Sequence, residues 1–221
     1  MKFFEYSLAN VDKIIKALGQ TLYMLTFSAI FAGIFGLIIG IALVVTNRGG
    51  ILENEKFNKI LDKITNLFRA IPFIILVAFI APITKFIIHA RIGTSAAIVP
   101  LVFSATPFFA KQVEQALAEI DSGLIEASLA MGNSPLEIIT SVYLREGLPS
   151  LIRASSITLI SLLGLTTMAG MIGGGGIGNL AIAVGYNRYK DDVVLISVVL
   201  ILLIVYAIQA LANYLIRKTS H

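Results

Sequence analysis

The chain contains no cysteine, which excludes a disulfide framework and a thiolate-held metal site. It has two histidines, His89 and His221, too few and too far apart in sequence for a local histidine site. Charge is scarce as well. Acidic and basic residues make up 14% of the 221 residues, against 57% hydrophobic, and the mean hydropathy is +0.89. Soluble domains carry more charge and less apolar mass, so a chain of this make-up belongs in lipid. The net charge of +4 does not point to nucleic acid, because the basic residues are scattered between apolar runs rather than clustered. No Asp or Glu falls in the middle of a long apolar run; Glu114 stands at the end of the third. A charge at mid-membrane costs roughly 2.5–3.5 kcal/mol on insertion scales and is kept only for work, so a proton-coupled carrier built on buried carboxylates is disfavoured. No G-x-x-x-x-G-K-[ST] occurs, so no Walker-type nucleotide site is expected. No Ser/His/Asp set converges within an apolar run, which argues against an intramembrane hydrolase.

What is present reads as an all-α integral membrane protein, a single transmembrane domain over 1–221 with about five spans. The stretch 1–20 is mildly amphipathic, with Leu8, Val11 and Ile15 at helical spacing, and is expected at the membrane interface. The uncharged run 17–46 is too long for a signal-peptide core and lacks a small-residue cleavage site, so it reads as the first span. Within it Ser28, Ala32, Gly36 and Gly40 recur every fourth residue, a ridge along which another helix can approach closely. The polar stretch 47–62 predicts a loop and a short helix at the membrane surface. A second span is expected over about 64–88, with Arg69 at headgroup level and bends at Pro72 and Pro82. The third covers about 96–115, the fourth runs from Pro149 to about Met171, and the fifth covers 193–216. Gly173, Gly175 and Gly178 fit a G-x-G-x-x-G spacing, but they follow an apolar span rather than a strand, so they read as close-packed backbone or a hinge and not as a dinucleotide fingerprint.

The stretch 121–149 lies between spans and carries helix punctuation. Asp121 or Ser122 can cap a first short helix, which Gly132 ends in the left-handed conformation. Ser134 and Glu137 form a capping box for a second helix, with Pro135 in its first turn. Leu136, Ile139, Val142 and Tyr143 are expected on one apolar face that another protein covers. A DNA-binding helix-turn-helix is disfavoured, since Glu126, Glu137 and Glu146 would repel phosphates. A merely solvated hairpin is the other reading.

Glu126-Ala127-Ser128, three residues, then Gly132, with Leu144 and a downstream Pro149, resembles the "EAA" loop of the permease subunits of bacterial ABC importers. The family pattern ends in Ile-x-Leu-Pro nine residues after the glycine, and Arg145 stands where it has proline, so Gly147 and Pro149 are expected to break the second helix. Gly19-Gln20-Thr21-Leu22, FRAIPFIIL from Phe68, AAIVPL from Ala96, GLIEAS from Gly123 and the glycine-rich 168–178 are together similar to the permeases of methionine importers. The resemblance implies a homodimer with a pore on its axis. It also implies two cytoplasmic ATPase subunits that bind the ATP, a substrate-binding lipoprotein outside, and no cofactor or metal on this chain. Glu126, Ala127, Ser128 and Gly132 then take the coupling positions, joined by Leu136 and Ile139 on the docking face, over a loop at about 116–149. An importer of another small amino acid or peptide stays open, as does a stand-alone channel or carrier.

Five spans place the termini on opposite sides. Of the 17 lysines and arginines, ten fall on the side of the docking loop and seven on the other, which favours a cytoplasmic loop and C-terminus with the N-terminus outside. Thr166, Thr167 and Met168 interrupt the apolar pattern before the glycine run and are the gate candidates, although threonines often bond back to their own helix and methionine fills core gaps.

Overall fold

The computed structural model describes residues 5–219, so His221 and the first residues of the N-terminal stretch lie outside it. Its elements in chain order are α1 (Glu5–Ala9), α2 (Val11–Val45), α3 (Glu55–Ala70), α4 (Phe73–Phe79), α5 (Ala81–Ile88), α6 (Thr94–Ala118), α7 (Ser122–Ala130), α8 (Pro135–Ile138), α9 (Leu144–Glu146), α10 (Leu148–Ala169), α11 (Gly176–Asn179) and α12 (Asp191–Thr219). Wider π-type turns occupy Ile139–Tyr143, Gly170–Gly174 and Leu180–Gly185. Among the described residues, four segments are long and apolar enough to cross a membrane: α2, α6, Leu148–Gly174 and α12.

The expected second span is not one helix. Its first residues belong to α3, which runs on to Ala70 and ends with Arg69 in its last turn. The chain is extended at Pro72, which has ψ 136° and stands before α4, because proline lacks an N–H and cannot continue the helix behind it. Pro82 lies in the first turn of α5, where a missing N–H costs nothing, so it opens a new helix rather than bending an old one. Arg69 thus stands in the last turn of a separate helix, donating to Asn66 Oδ1 at 3.3 Å. The N-terminal stretch divides between α1 and the start of α2, which from Val11 onward is continuous with the first span. Leu8, Val11 and Ile15 are exposed.

The chain divides into two compact units. Of the described residues, one gathers 5–31, Ile71–Ala105 and Leu159–Gln209; the other gathers Ala32–Ala70, Thr106–Thr158 and 210–219. In the first unit, Ser7 N–H and Oγ–H both donate to Asp192 Oδ2, at 2.9 and 2.7 Å. Asp192 lies just ahead of the expected fifth span, in the first turn of α12, where the helix dipole favours an acid. Ala17, Leu180 and Val193 are buried together beside it, with Ile14 and Val184 packed around them.

In the second unit the small-residue ridge does what its spacing predicts. A Cβ on Gly36 would stand 3.0 Å from Thr106 O, and one on Gly40 would stand 2.7 Å from Ala110 O and 2.6 Å from Val113. The backbones of α2 and α6 therefore touch along this line, which any larger residue would force apart. Below the ridge, Val45, Phe109, Val113, Ala116, Leu117, Ile138, Tyr143, Leu151 and Ala154 form one buried cluster, which seats the loop between α6 and α10.

Candidate coupling loop and glycine segment

The loop is built from its caps. Asp121 is the N-cap of α7, its Oδ1 accepting from Gly123 N at 2.7 Å. Gly132 has φ +82° and its N–H donates to Leu129 O at 2.9 Å, so α7 stops in the left-handed turn that glycine tolerates. The turn is tied a second time, because Asn133 Nδ2 donates to the buried Ser128 Oγ at 2.9 Å. The capping box of α8 is complete: Glu137 N donates to Ser134 Oγ at 3.4 Å, while Ser134 N and Oγ both donate to Glu137 Oε2 at 2.7 Å. These donors favour the charged form and hold the Glu137 carboxyl below its ordinary range.

The second arm turns differently from a plain helix. A regular period places Leu136 with Ile139, Val142 and Tyr143, yet Leu136 is 70% exposed while Ile138 and Tyr143 are buried. The π-type turn at Ile139–Tyr143 adds residues to the arm and shifts which side chains face inward. Ile138 and Tyr143 enter the loop's own core, with Ile139 and Val142 against them, so most of the expected docking stripe is already covered. Burial also pushes the Tyr143 phenol upward. What stays open is a different apolar set: Leu124, Leu129, Met131 and Leu136 are exposed, and Glu126 and Ala127 stand among them. Glu126 is past the first turn of α7, out of reach of the helix-end dipole.

Arg145 lies exposed in α9, and the break behind it is Gly147 alone. A Cβ on Gly147 would come within 2.5 Å of Tyr143 O and 2.7 Å of Leu117 Cδ2. Pro149 falls in the first turn of α10 and ends nothing.

In the other unit, the glycines allow backbone to meet backbone. Gly173, Gly175 and Gly176 have φ of +99°, +76° and +76°, and a Cβ on Gly178 would collide with the backbone of Thr167. Two side chains not singled out by function in the sequence complete this segment. Gly176 N donates to Gln20 Oε1 and Ile177 N donates to Thr21 Oγ1, each at 2.8 Å. The first span thus satisfies the open N–H groups at the start of α11. In sequence Gln20 and Thr21 stand out as a polar pair within an apolar run and as part of the Gly19–Leu22 stretch that carries the resemblance, with no role attached. Of the gate candidates, Thr166 is buried and donates to Leu163 O at 2.7 Å, and Thr167 donates to the same oxygen at 3.2 Å. Met168 is half-buried.

The loop is thus capped at both arms, rooted in a buried cluster and open along one apolar surface. The family of binding-protein-dependent transport system inner membrane components matches residues 32–221. Among curated relatives, the probable D-methionine transport system permease protein MetI of Vibrio cholerae is 40% identical over 212 residues, covering 96% of this chain and 94% of its own. The methionine import system permease protein MetP of Bacillus subtilis is likewise 40% identical, over 95% and 96%. Among solved structures, the inward-facing MetNI methionine ABC transporter superposes with a TM-score of 0.92 at 42% identity, covering 95% of this chain and 97% of that one. The chain belongs to the family of binding-protein-dependent transport system inner membrane components.

Proposed function

We propose that this chain is the permease subunit of an ATP-driven methionine importer. The observation that carries the reading is likeness of 40–42% identity along nearly the whole length to methionine permeases. The intact caps of the coupling loop support it. Two copies form the pore, two ATPase subunits dock against the loops from the cytoplasm, and a substrate-binding lipoprotein delivers methionine from outside. The ATP binds to the ATPase, and this chain contributes the path and the lever. Leu124, Leu129, Met131 and Leu136 are the apolar contacts of the lever, and Glu126 is its charged one. Because Ile138 and Tyr143 root the second arm in the same core as α6 and α10, a push on the loop is transmitted to those spans as a rigid-body motion. The loop and C-terminus lie in the cytoplasm and the N-terminus outside, in keeping with the surplus of basic residues on the loop side. Met168 narrows the outer mouth of the pore.

Reconstitution tests this directly. The chain co-expressed with a methionine-importer ATPase subunit is expected to retain that ATPase through purification. The assembly should take up labelled methionine into proteoliposomes only with ATP and binding protein present. Uptake of another small amino acid that methionine does not compete away would replace methionine as the substrate. Uptake that continues without an ATPase would make the chain a stand-alone carrier.

A further inference from the structure

Helix α3 is polar where it meets the protein and apolar where it does not. Its inward side is made by Asn58, Asp62 and Thr65. Asn58 Nδ2 donates to Leu43 O at 2.6 Å and to Thr46 Oγ1 at 3.2 Å. Asp62 pairs with Lys111 of α6 at 2.6 Å, and Lys111 also pairs with Glu114. Thr65 is buried and donates back to Leu61 O. The outward side carries Phe57, Ile60, Ile64 and Leu67, exposed by 48%, 60%, 49% and 63%. At 100° per residue these four side chains fall within an arc of about 80°. Lys56, Lys59 and Lys63 fall on the adjoining outward arc and are exposed. Water would select the opposite arrangement, so the outer face is built for an apolar medium with anions at its edge.

We propose that α3 lies in the plane of the membrane surface, with Phe57, Ile60, Ile64 and Leu67 in the acyl boundary and Lys56, Lys59 and Lys63 on anionic phospholipid headgroups. A steep, spanning position is disfavoured, because Lys63 at the middle of the helix would then stand beside hydrocarbon. A second copy of the chain meeting this face on a two-fold axis would bring lysine arcs together, whereas headgroup phosphates complement them. Lys59 is partly engaged by Glu55 at 2.8 Å. Lys56 and Lys63 have no partner among the described residues and carry the lipid contact. Ile51, in the loop just before α3, packs on the cluster that seats the coupling loop, so both belong to one compact unit. That the leaflet is the cytoplasmic one, where anionic lipid gives a negative surface potential, rests on the orientation proposed above.

This chain has no cysteine, so a single introduced thiol is its only site for a probe, and the partner subunits are used in cysteine-free form. Ile64→Cys and, separately, Lys63→Cys are labelled with an environment-sensitive fluorophore in the full transporter, reconstituted in phosphatidylcholine vesicles with or without phosphatidylglycerol. The probe at position 64 is expected to be quenched by lipids carrying a nitroxide high on the acyl chain and shielded from aqueous iodide. The probe at position 63 should show the reverse. A Lys56→Gln/Lys63→Gln variant should lose preference for spin-labelled phosphatidylglycerol over phosphatidylcholine, on a scale of about fivefold per lysine. Iodide quenching at position 64, a disulfide between two Ile64→Cys copies, or an unchanged lipid preference in the double variant would each overturn the proposal. ATP-dependent methionine uptake by the same vesicles reports separately on the transport reading, so either can fail without the other.

Discussion

Substitutions at Gly132 separate backbone conformation from packing. A Cβ at this position meets nothing within 4 Å, so no steric term enters and only the φ of +82° is taxed. Alanine pays the left-handed penalty of about 1–2 kcal/mol. Asparagine, which bonds locally in this region, pays less, and valine pays more because its branched Cβ crowds the backbone. The turn gives up little before it yields, since Gly132 N–Leu129 O and Asn133 Nδ2–Ser128 Oγ are neutral bonds. Alanine is therefore expected to shift the balance between the docked-angle turn and displaced turns by about 5- to 30-fold. The second arm stays in place because Ile138 and Tyr143 are buried in the core cluster. The first arm, which carries Glu126, loses its angle. The assay is methionine transported per ATP hydrolysed in proteoliposomes, alongside hydrogen exchange of the amides from 128 to 134. Coupling should fall in the order wild type, asparagine, alanine, valine, with exchange rising in step. A valine variant with wild-type coupling and wild-type exchange would refute both the conformational cost and the lever.

Further outcomes follow from other contacts. Glu126→Gln removes an exposed charge on the open loop surface and is expected to weaken ATPase retention about tenfold, or about 1.4 kcal/mol, with membrane insertion intact; unchanged retention on a titrated affinity resin would count against the pairing. Thr21→Val keeps shape but leaves the buried Ile177 N–H unsatisfied, costing about 1–3 kcal/mol and lowering the inactivation temperature in detergent, while Thr21→Ser keeps the acceptor and should lose less. Because the folded-state carboxyl of Glu137 is held low, its contribution to the loop is complete above the ordinary carboxylate range and lost as pH falls through its folded value. Hydrogen exchange at Ser134 should thus be unaffected by protonation of Glu137 between pH 7 and 5 and lose protection below about pH 4, after allowing for intrinsic exchange rates, a loss absent in Glu137→Gln. Met168→Cys should label from outside or cross-link between copies in at least one nucleotide state; silence in all of them removes Met168 from the gate.

Much of the loop was legible in sequence because its controls are local. Asp121, Gly132 and the Ser134–Glu137 box act within a few residues, and each took its expected place. The ridge from Ser28 to Gly40 was legible for a related reason, since spacing alone decides which face a helix offers. The face of the second arm was not, because the π-type turn at Ile139–Tyr143 is set by how Ile138 and Tyr143 fill the core, a tertiary demand that overrides the regular period. The second apolar stretch misled through composition. Hydropathy carried the expected span across Ile71 and Pro72, but backbone geometry ended α3 there. The roles of Gln20 and Thr21 were invisible for want of a partner, since their acceptors serve amides 156 positions away.

That separation also sets a timetable. At 5–20 residues per second of synthesis, the first span waits about 10–30 s before Gly176 and Ile177 emerge to meet Gln20 and Thr21. Ser7 waits longer still for Asp192, 185 positions on. Throughout that interval a glutamine and a threonine sit near the end of an apolar helix with their intended donors not yet made. They must be satisfied by water or headgroups at the bilayer edge. The position of this pair near the start of the span, rather than at its centre, lets a newly inserted α2 keep its polar groups wet until the last third of the chain arrives.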